Sequence, residues 1–262
     1  MNKPPLIPRV MLLVFGAVIL LPVATGARTQ PTQRAPEPVI TSGPRLWALA
    51  ASAFYHGYFD RLSPDVRSYS NVAETRRLLR EWWGIGDRSG LLEDLEWLES
   101  GGHRLEFQKL GQALVAMTDA RYKALLSAER NPDRVRVMKL TREHFREYRG
   151  NSAVAWDYGR YIALCRWGYM VGYLTEDEAW RRIMPAARTI QRSFRSWVEF
   201  GEDFIVGREF WSPEEMRKTG QAFRDREKWL RNEPQSPWNR LPWRMELGPG
   251  APSRRRLPLV RP

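Results

Sequence analysis

The sequence contains few of the residues that build disulfide or metal-bound scaffolds. Its 262 residues include one cysteine, Cys165, so no internal disulfide can form. The three histidines are scattered, and their spacing matches no metal motif. No phosphate loop, no paired-histidine metalloprotease motif and no Gly-x-Ser-x-Gly motif occurs. We therefore expect no metal and no cofactor, and no known motif indicates catalysis.

The pattern of β-structure is also missing. No stretch alternates between apolar and polar residues, and no hairpin dipeptide separates apolar runs. Instead, apolar residues recur at helical spacing from residue 45 onward, where the first predicted helix covers residues 45–60. This predicts an all-α fold, a single domain of about eight helices over residues 45–231. All twelve tryptophans lie in or beyond this region and predict an aromatic-rich core.

The N-terminal segment has the pattern of a targeting signal. Lys3 and Arg9 precede an apolar run of about fourteen residues, and small residues follow up to Ala27. This order is typical of a secretory signal peptide. A membrane-spanning helix needs about twenty apolar residues, and the run reaches eighteen if it is counted to Ala27. The sequence predicts export to the periplasm or another extracytoplasmic location, with residues 1–27 as a cleaved signal peptide or a membrane anchor.

The two flanks of the helical region differ from it in composition. Residues 28–44 are rich in Pro, Thr and Gln, which predicts a linker. Residues 232–262 hold many prolines and the run Arg254–Arg256, which predicts an extended or disordered tail. The flanks carry most of the net charge of +12, and residues 45–230 contribute only +4. This distribution argues against nucleic acid as a partner, and attraction of the tail to an anionic surface is a lesser alternative.

Residues 152–173 predict the central helix of the domain. They are apolar around nearly the whole circumference of a helix, which is typical of a buried one. Asp157 and Arg160 are three residues apart in this segment, so they lie on one face. A buried charge must be paired. We therefore expect these two side chains to interact.

A second charged helix is predicted to pack against the central one. It covers residues 175–210 and is kinked or divided at Pro185, because an interior proline removes a backbone hydrogen bond. Its apolar stripe continues into Arg208, and Glu199 lies on a neighbouring face. The predicted polar cluster therefore consists of Asp157, Arg160, Glu199 and Arg208. Three further residues are additional candidates for this cluster, namely His103, Trp167 and Trp180.

The predicted cluster has two interpretations. It is either a structural ion network that fixes the register of the helices, or a ligand-binding or catalytic pocket, since charged groups in aromatic clefts are candidates for functional sites. The leading hypothesis for function is an exported, non-catalytic domain that binds a protein or an envelope component. The alternative is an envelope hydrolase acting on a glycan or related polymer, with Asp157 and Glu199 as acid and base.

An ordered set of short motifs resembles a known family. The resemblance covers roughly residues 82–211 and is carried by Trp83-Gly84-Ile85, Gly102-His103, Trp156-Asp157-Tyr158-Gly159-Arg160, Trp167-Gly168-Tyr169, Glu178-Ala179-Trp180, Ser196-Trp197 and Gly207-Arg208. Together these motifs are similar to the bacterial domain-of-unknown-function 1266 family. The resemblance implies a shared fold and draws attention to Asp157, Arg160 and Trp180. It implies no activity and no catalytic residues.

Overall fold

The computed structural model describes residues 39–63 and 69–248. Every regular element in these two ranges is helical, which confirms the all-α prediction. The signal segment, most of the predicted linker and the arginine-rich end of the tail lie outside the described residues. Within the described ranges, no helix has the length and apolar character needed to cross a membrane.

The described residues form eleven α-helices, a π-helical turn at Leu79–Trp83 and a 3₁₀ turn at Arg149–Asn151. In chain order the α-helices are α1 (Gly43–Ala50), α2 (Tyr69–Leu78), α3 (Arg88–Ser100), α4 (Arg104–Val115), α5 (Asp119–Ala128), α6 (Pro132–Tyr148), α7 (Val154–Met170), α8 (Glu176–Ser193), α9 (Trp197–Trp211), α10 (Pro213–Asn232) and α11 (Pro237–Arg240). Nine of them have ten or more residues, close to the predicted number.

Helix α7 is the centre of the domain. Fifteen of its seventeen residues are buried, and it packs against α3, α8 and α9. Two glycines allow this close packing. A Cβ atom at Gly159 would lie 3.1 Å from the Phe204 ring of α9, and one at Gly168 would lie 2.4 Å from Leu91 of α3. The all-round apolar pattern therefore identified the central helix correctly.

The second charged helix is divided, but not at Pro185. That proline lies inside α8, which begins with a capping box formed by Thr175 and Glu178. The break comes at Phe194, whose backbone is extended, and α9 then begins where the Ser196 hydroxyl accepts a hydrogen bond from the backbone of Glu199. A serine at the N-cap position stabilises the start of a helix, so this local signal sets the boundary between α8 and α9.

The first predicted helix is shorter than residues 45–60, because α1 ends at Ala50. The following segment is irregular, and two arginine side chains bond to its polar groups. Arg166 of α7 donates to the Ser52 hydroxyl at 2.8 Å and to the Tyr58 carbonyl at 2.9 Å. Arg226 of α10 donates to the carbonyls of Ala53 at 2.9 Å and His56 at 2.8 Å. Buried carbonyls need such partners, and here side chains replace helical hydrogen bonds.

The chain from residue 233 to residue 248 differs from the predicted extended tail. Trp238 and Trp243 are buried, and the Trp238 ring stacks on Trp197 of α9 at 5.5 Å. Their indole N–H groups donate to the carbonyls of Ala50 and Phe194, at 3.2 and 3.1 Å. The burial of two large aromatic rings outweighs the prolines that suggested disorder. Residues 249–262 of the predicted tail lie outside the described residues.

Candidate functional site

Asp157 is the centre of a sealed charge network. Its side chain is fully buried, and both carboxylate oxygens accept hydrogen bonds. Oδ1 accepts from Arg160 Nη2 at 2.5 Å, and Oδ2 accepts from the backbone N–H of Arg104 at 2.9 Å and from its Nη1 at 3.2 Å. Gly102 makes room for this carboxylate, because a Cβ there would lie 2.2 Å from Oδ2 and its φ is +53°. The predicted pairing of Asp157 with Arg160 is therefore present.

His103 joins the network at Nη2 of Arg160, the same atom that donates to Asp157. Nη2 of Arg160 donates to Nδ1 of His103 at 2.9 Å, so we assign the proton of the neutral imidazole to Nε2. Burial, followed by the positive charge of Arg160, lowers the pKa of His103 to about 3. The guanidinium of Arg160 also lies 4.1 Å from the centre of the Trp156 ring and 5.4 Å from that of Trp83. His103 is thus a neutral acceptor that helps to hold a buried cation.

Aromatic side chains reach the surface around this network. The Trp97 ring is 39% exposed and stands perpendicular to the His103 ring at 4.9 Å. Trp211 is 42% exposed and packs against Trp156 at 5.8 Å. The partly exposed His103 and the half-buried Trp83 also lie against Arg160. We call these four residues around Arg160 and Trp156 the tryptophan face: Trp83, Trp97, His103 and Trp211.

Glu199 does not belong to the network. It lies in the first turn of α9, where its carboxylate accepts from the backbone N–H of Arg195 at 2.8 Å and from Nε of the same residue at 2.9 Å. Its side chain is partly exposed, whereas that of Asp157 is sealed. The reason is local, because a carboxylate at a helix start is stabilised by the free backbone N–H groups there.

Arg208 lies on the side of α9 that faces α10. Its Nη2 donates to the Thr219 hydroxyl at 2.5 Å, its Nη1 lies 3.5 Å from the Met216 sulfur, and its guanidinium covers the Phe223 ring at 4.2 Å. The predicted four-residue cluster is therefore split. The structure brings together Asp157 and Arg160, and it gives Arg208 a separate, largely uncharged environment.

The two tryptophans considered for the cluster are structural. Trp167 is buried and packs against Tyr55 and His56, at 5.6 and 5.3 Å. Trp180 is buried, and its indole N–H donates to Glu176 at 3.2 Å. Both rings contribute to the core or its edge.

Sequence reasoning missed a second buried carboxylate, Asp203 of α9. It accepts hydrogen bonds at 2.7 Å from the backbone N–H groups of both Ala153 and Ala155, and Nε2 of His144 lies 2.6 Å from its Oδ1. Asp203 thereby caps the start of α7, where Ala153 has a φ of +61°. An aspartate in an apolar helix was the available signal, but its partners are backbone groups fifty residues away, which no local pattern reveals.

The described side chains include one cysteine and no metal-binding cluster. No group of three or more His, Cys, Asp or Glu among them could hold a metal ion. Cys165 is fully buried, and burial raises the pKa of its thiol. Of two surface depressions, one of about 200 Å³ is lined by residues that include Arg45 and Glu176, and one of about 410 Å³ by residues that include Trp243 and Arg244. Neither depression contains a member of the Asp157 network.

The fold and the site define an all-α domain with a sealed ion network beneath exposed tryptophans. The family described as "Protein of unknown function (DUF1266)" matches residues 78–243, which is more than half of the chain, and the protein belongs to that family. The match extends to Trp243 and so includes most of the C-terminal segment that packs on the core. No curated protein and no solved structure matches the chain.

Proposed function

We propose that this protein is an exported, non-catalytic domain that binds a protein or another envelope component through its tryptophan face. The observation that carries the proposal is the exposure of Trp97 and Trp211, at 39% and 42%, beside a rigid buried network. Large exposed aromatic rings are enriched at binding hot spots. Export is supported by the order of basic, apolar and small residues at the N-terminus.

The buried network favours binding because it holds the face in one conformation. Arg160 donates to Asp157 and His103, and its guanidinium lies against two tryptophan rings. The His103 ring in turn packs edge-on against Trp97. A surface that is already ordered loses less conformational entropy when a partner binds. The Asp157 network therefore acts as a support for the face and takes no part in chemistry.

The alternative function, an envelope hydrolase, lacks support from the two carboxylates first considered for it. A glycoside hydrolase needs two carboxyl groups roughly 5–9.5 Å apart across an open cleft. Asp157 is fully buried with both oxygens bonded, and Glu199 pairs with Arg195 at the start of α9. Neither carboxylate is placed to meet a glycosidic bond.

Site-specific photo-crosslinking in cells that produce the full chain tests the binding role. A photoreactive amino acid replaces Leu105, which is 47% exposed and lies two residues after His103, so the face itself stays intact. We expect a discrete crosslinked product that disappears when Trp97→Ala is added. The matched control is Trp229→Ala, since Trp229 is 36% exposed and lies on α10.

The same photoreactive residue at Val198, which is 37% exposed on α9, serves as a second control. Identical products from positions 105 and 198, or a product that survives Trp97→Ala, would exclude the tryptophan face as the binding surface. Export is checked separately by protease digestion of intact and osmotically opened cells. Protection of the protein after the outer envelope has been opened would contradict export.

A further inference from the structure

The stretch of chain that carries most of the tryptophan face is acidic. Residues 81–103 include Trp83, Trp97 and His103, and they hold six Asp or Glu residues against one arginine. The whole chain, by contrast, has a net charge of +12. Three glutamates of this stretch are exposed and form no ion pair with the described residues, namely Glu81, Glu96 and Glu99. This part of the face is therefore locally negative on a basic protein.

The tryptophan rings of this stretch already pack against a buried guanidinium group. The guanidinium carbon of Arg160 lies 5.4 Å from the centre of the Trp83 ring and 5.9 Å from that of Trp97. Trp97 is 39% exposed, so part of its ring is also open to solvent. Tryptophan is the aromatic side chain that attracts cations most strongly, and arginine is its more frequent partner. An exposed tryptophan beside unpaired carboxylates therefore suits a segment that carries arginine.

The chain itself contains a segment of the complementary charge. Residues 249–262, which lie outside the described residues, hold four arginines and no acid, and three of the arginines are consecutive at Arg254–Arg256. A short segment tethered to the same chain has an effective concentration in the millimolar range at a site that it can reach. A separate cationic protein must instead approach a chain whose net charge is +12. Both facts favour the chain's own segment as the occupant of the face.

The described chain ends close to the height of the Asp157 network. The carbonyl of Leu247 accepts a hydrogen bond from Nη1 of Arg188 at 3.4 Å. Helices α7 and α8 pack against each other and are joined by a short turn, so they run antiparallel. Asp157 lies thirteen residues before the end of α7, and Arg188 lies twelve residues after the start of α8. The two residues are therefore at nearly the same height along this helix pair.

From this point the segment after Gly248 is long enough to reach α3. Helices α8 and α3 both pack against α7, and the axes of packed helices lie about 8–10 Å apart. The axes of α8 and α3 are therefore separated by no more than about 20 Å. Seven extended residues, from Gly248 to Arg255, span about 23 Å. The consecutive arginines can thus reach the exposed glutamates of α3.

We infer that residues 249–262 dock on the tryptophan face of the same chain. Arg254–Arg256 stack on Trp97 and pair with the exposed glutamates of α3, Glu96 and Glu99. Arginine suits both contacts, because its planar guanidinium stacks on aromatic rings and also pairs with carboxylates. The docked segment covers the face, so a partner must displace it. The statement about a partner rests on the proposed function, whereas the contact within the chain does not.

Disulfide trapping in the full chain tests this contact. Ser100→Cys places a thiol on the exposed end of α3, three residues after Trp97, and Ser253→Cys places one next to the arginine run. The native Cys165 is fully buried, so it does not compete for either thiol. The matched control combines Ser253→Cys with Ser127→Cys, since Ser127 is exposed near the end of α5. We expect the disulfide to Ser100→Cys to form within one chain about tenfold faster than that to Ser127→Cys.

The charge of the segment should control the rate of this disulfide. The combined change Arg254→Gln, Arg255→Gln and Arg256→Gln should slow the reaction with Ser100→Cys about tenfold, because it removes the cation–π contacts and the ion pairs. Salt at about 1 M should slow it as well, since salt screens exposed charges. Arg244→Gln is the control substitution, because Arg244 is exposed and lies in the described chain. It should leave the rate unchanged.

Three results would overturn the inference. The first is an equal rate for the disulfides to Ser100→Cys and Ser127→Cys. The second is a rate with Ser100→Cys that the three arginine changes leave unaltered. The third is a disulfide between two chains, because the face would then hold the segment of a second copy.

The outcomes also separate this inference from the proposed function. A disulfide within one chain without any photo-crosslinked product at position 105 would keep the docked segment and refute the binding of a partner. A product at position 105 without the disulfide would do the reverse. If both form, the three arginine changes should increase the yield of the product at position 105, because they uncover the face. An unchanged yield would show that the segment does not block the partner.

Discussion

Arg160 and Arg208 are equally buried, each 4% exposed, yet their surroundings differ. Arg160 donates to the Asp157 carboxylate at 2.5 Å, to His103 at 2.9 Å and to the Trp156 carbonyl at 3.1 Å. Arg208 has one hydroxyl and one sulfur as partners. The first arginine is compensated by a carboxylate, and the second has no carboxylate partner within residues 39–63 and 69–248. Burial alone therefore does not show how a charged side chain is compensated.

The two arginines therefore differ in what their substitution is expected to cost. At Asp157 every oxygen is occupied by a side chain or a backbone N–H. Four substitutions test this difference, in order of decreasing effect.

Asp157→Asn should have the largest effect, because it leaves Arg160 buried without a counterion. We expect the free energy of unfolding to fall by about 3–5 kcal/mol, the range for breaking a buried ion pair. Denaturant unfolding of the full chain measures this change. Arg160→Gln should give a loss of similar size, because it leaves the carboxylate uncompensated.

The control for this prediction is Glu199→Gln, since Glu199 pairs with Arg195 four residues away on the surface. Its loss should be about 0.5 kcal/mol. Equal losses for Asp157→Asn and Glu199→Gln would contradict the assignment of Asp157 to a sealed network.

His103→Asn should change the dependence of stability on pH. The pKa of His103 is about 3 in the folded chain, and an unfolded histidine has a pKa of about 6.5. Between these values the unfolded state binds one more proton, so stability is full above about pH 6.5 and falls as the pH decreases toward 3. One such group contributes up to about 1.4 kcal/mol per pH unit. Denaturant unfolding at several values between pH 4 and 6 measures the slope, which His103→Asn should reduce.

His56 provides the internal reference for this measurement. Burial, and then the charge of Arg166, lowers its pKa well below the usual value. Part of the slope should therefore persist after His103→Asn, because His56 still titrates in the unfolded chain. An asparagine at position 103 also offers an oxygen to Arg160 in place of Nδ1. A slope that does not change would show that His103 is protonated in the folded chain.

Arg208→Met should have the smallest effect on stability, in contrast to Asp157→Asn. It removes a buried cation that has no carboxylate partner and replaces it with an apolar chain of similar length. We expect the free energy of unfolding to change by about 1 kcal/mol or less in either direction. Thermal and denaturant unfolding in chloride buffer measure this change in the free energy of unfolding. A loss as large as that of Asp157→Asn would show that Arg208 is compensated as fully as Arg160.

The sequence predicted the parts of the site that depend on spacing within one helix. Asp157 and Arg160 are three residues apart in an apolar helix, and this alone requires them to pair. Arg208 was predicted from an apolar stripe on a different helix, and Glu199 from a neighbouring face of that helix. Such a pattern does not show which neighbouring helix a residue packs against. The structure places Arg208 against α10 and Glu199 at the start of α9.

Residues 233–248 show the same contrast between local patterns and long-range contacts, here for the fold. Among residues 233–248, the one-turn helix α11 is the only regular element. Local composition cannot show that Trp238 stacks on Trp197, because that contact joins residues 41 positions apart. The tail from residue 249 onward and the signal segment stay predictions.

By itself, the sequence determined the all-α class, the buried central helix, the helix starts at Thr175 and Ser212, and the pairing of Asp157 with Arg160. These properties follow from helical periodicity, capping residues and the requirement to pair buried charges, which act over a few residues. The tertiary structure alone decided that Asp203 caps α7, that the C-terminal tryptophans close the core, and that Arg208 packs against α10. Each of these depends on contacts between distant helices, and such contacts are set by how the whole core packs.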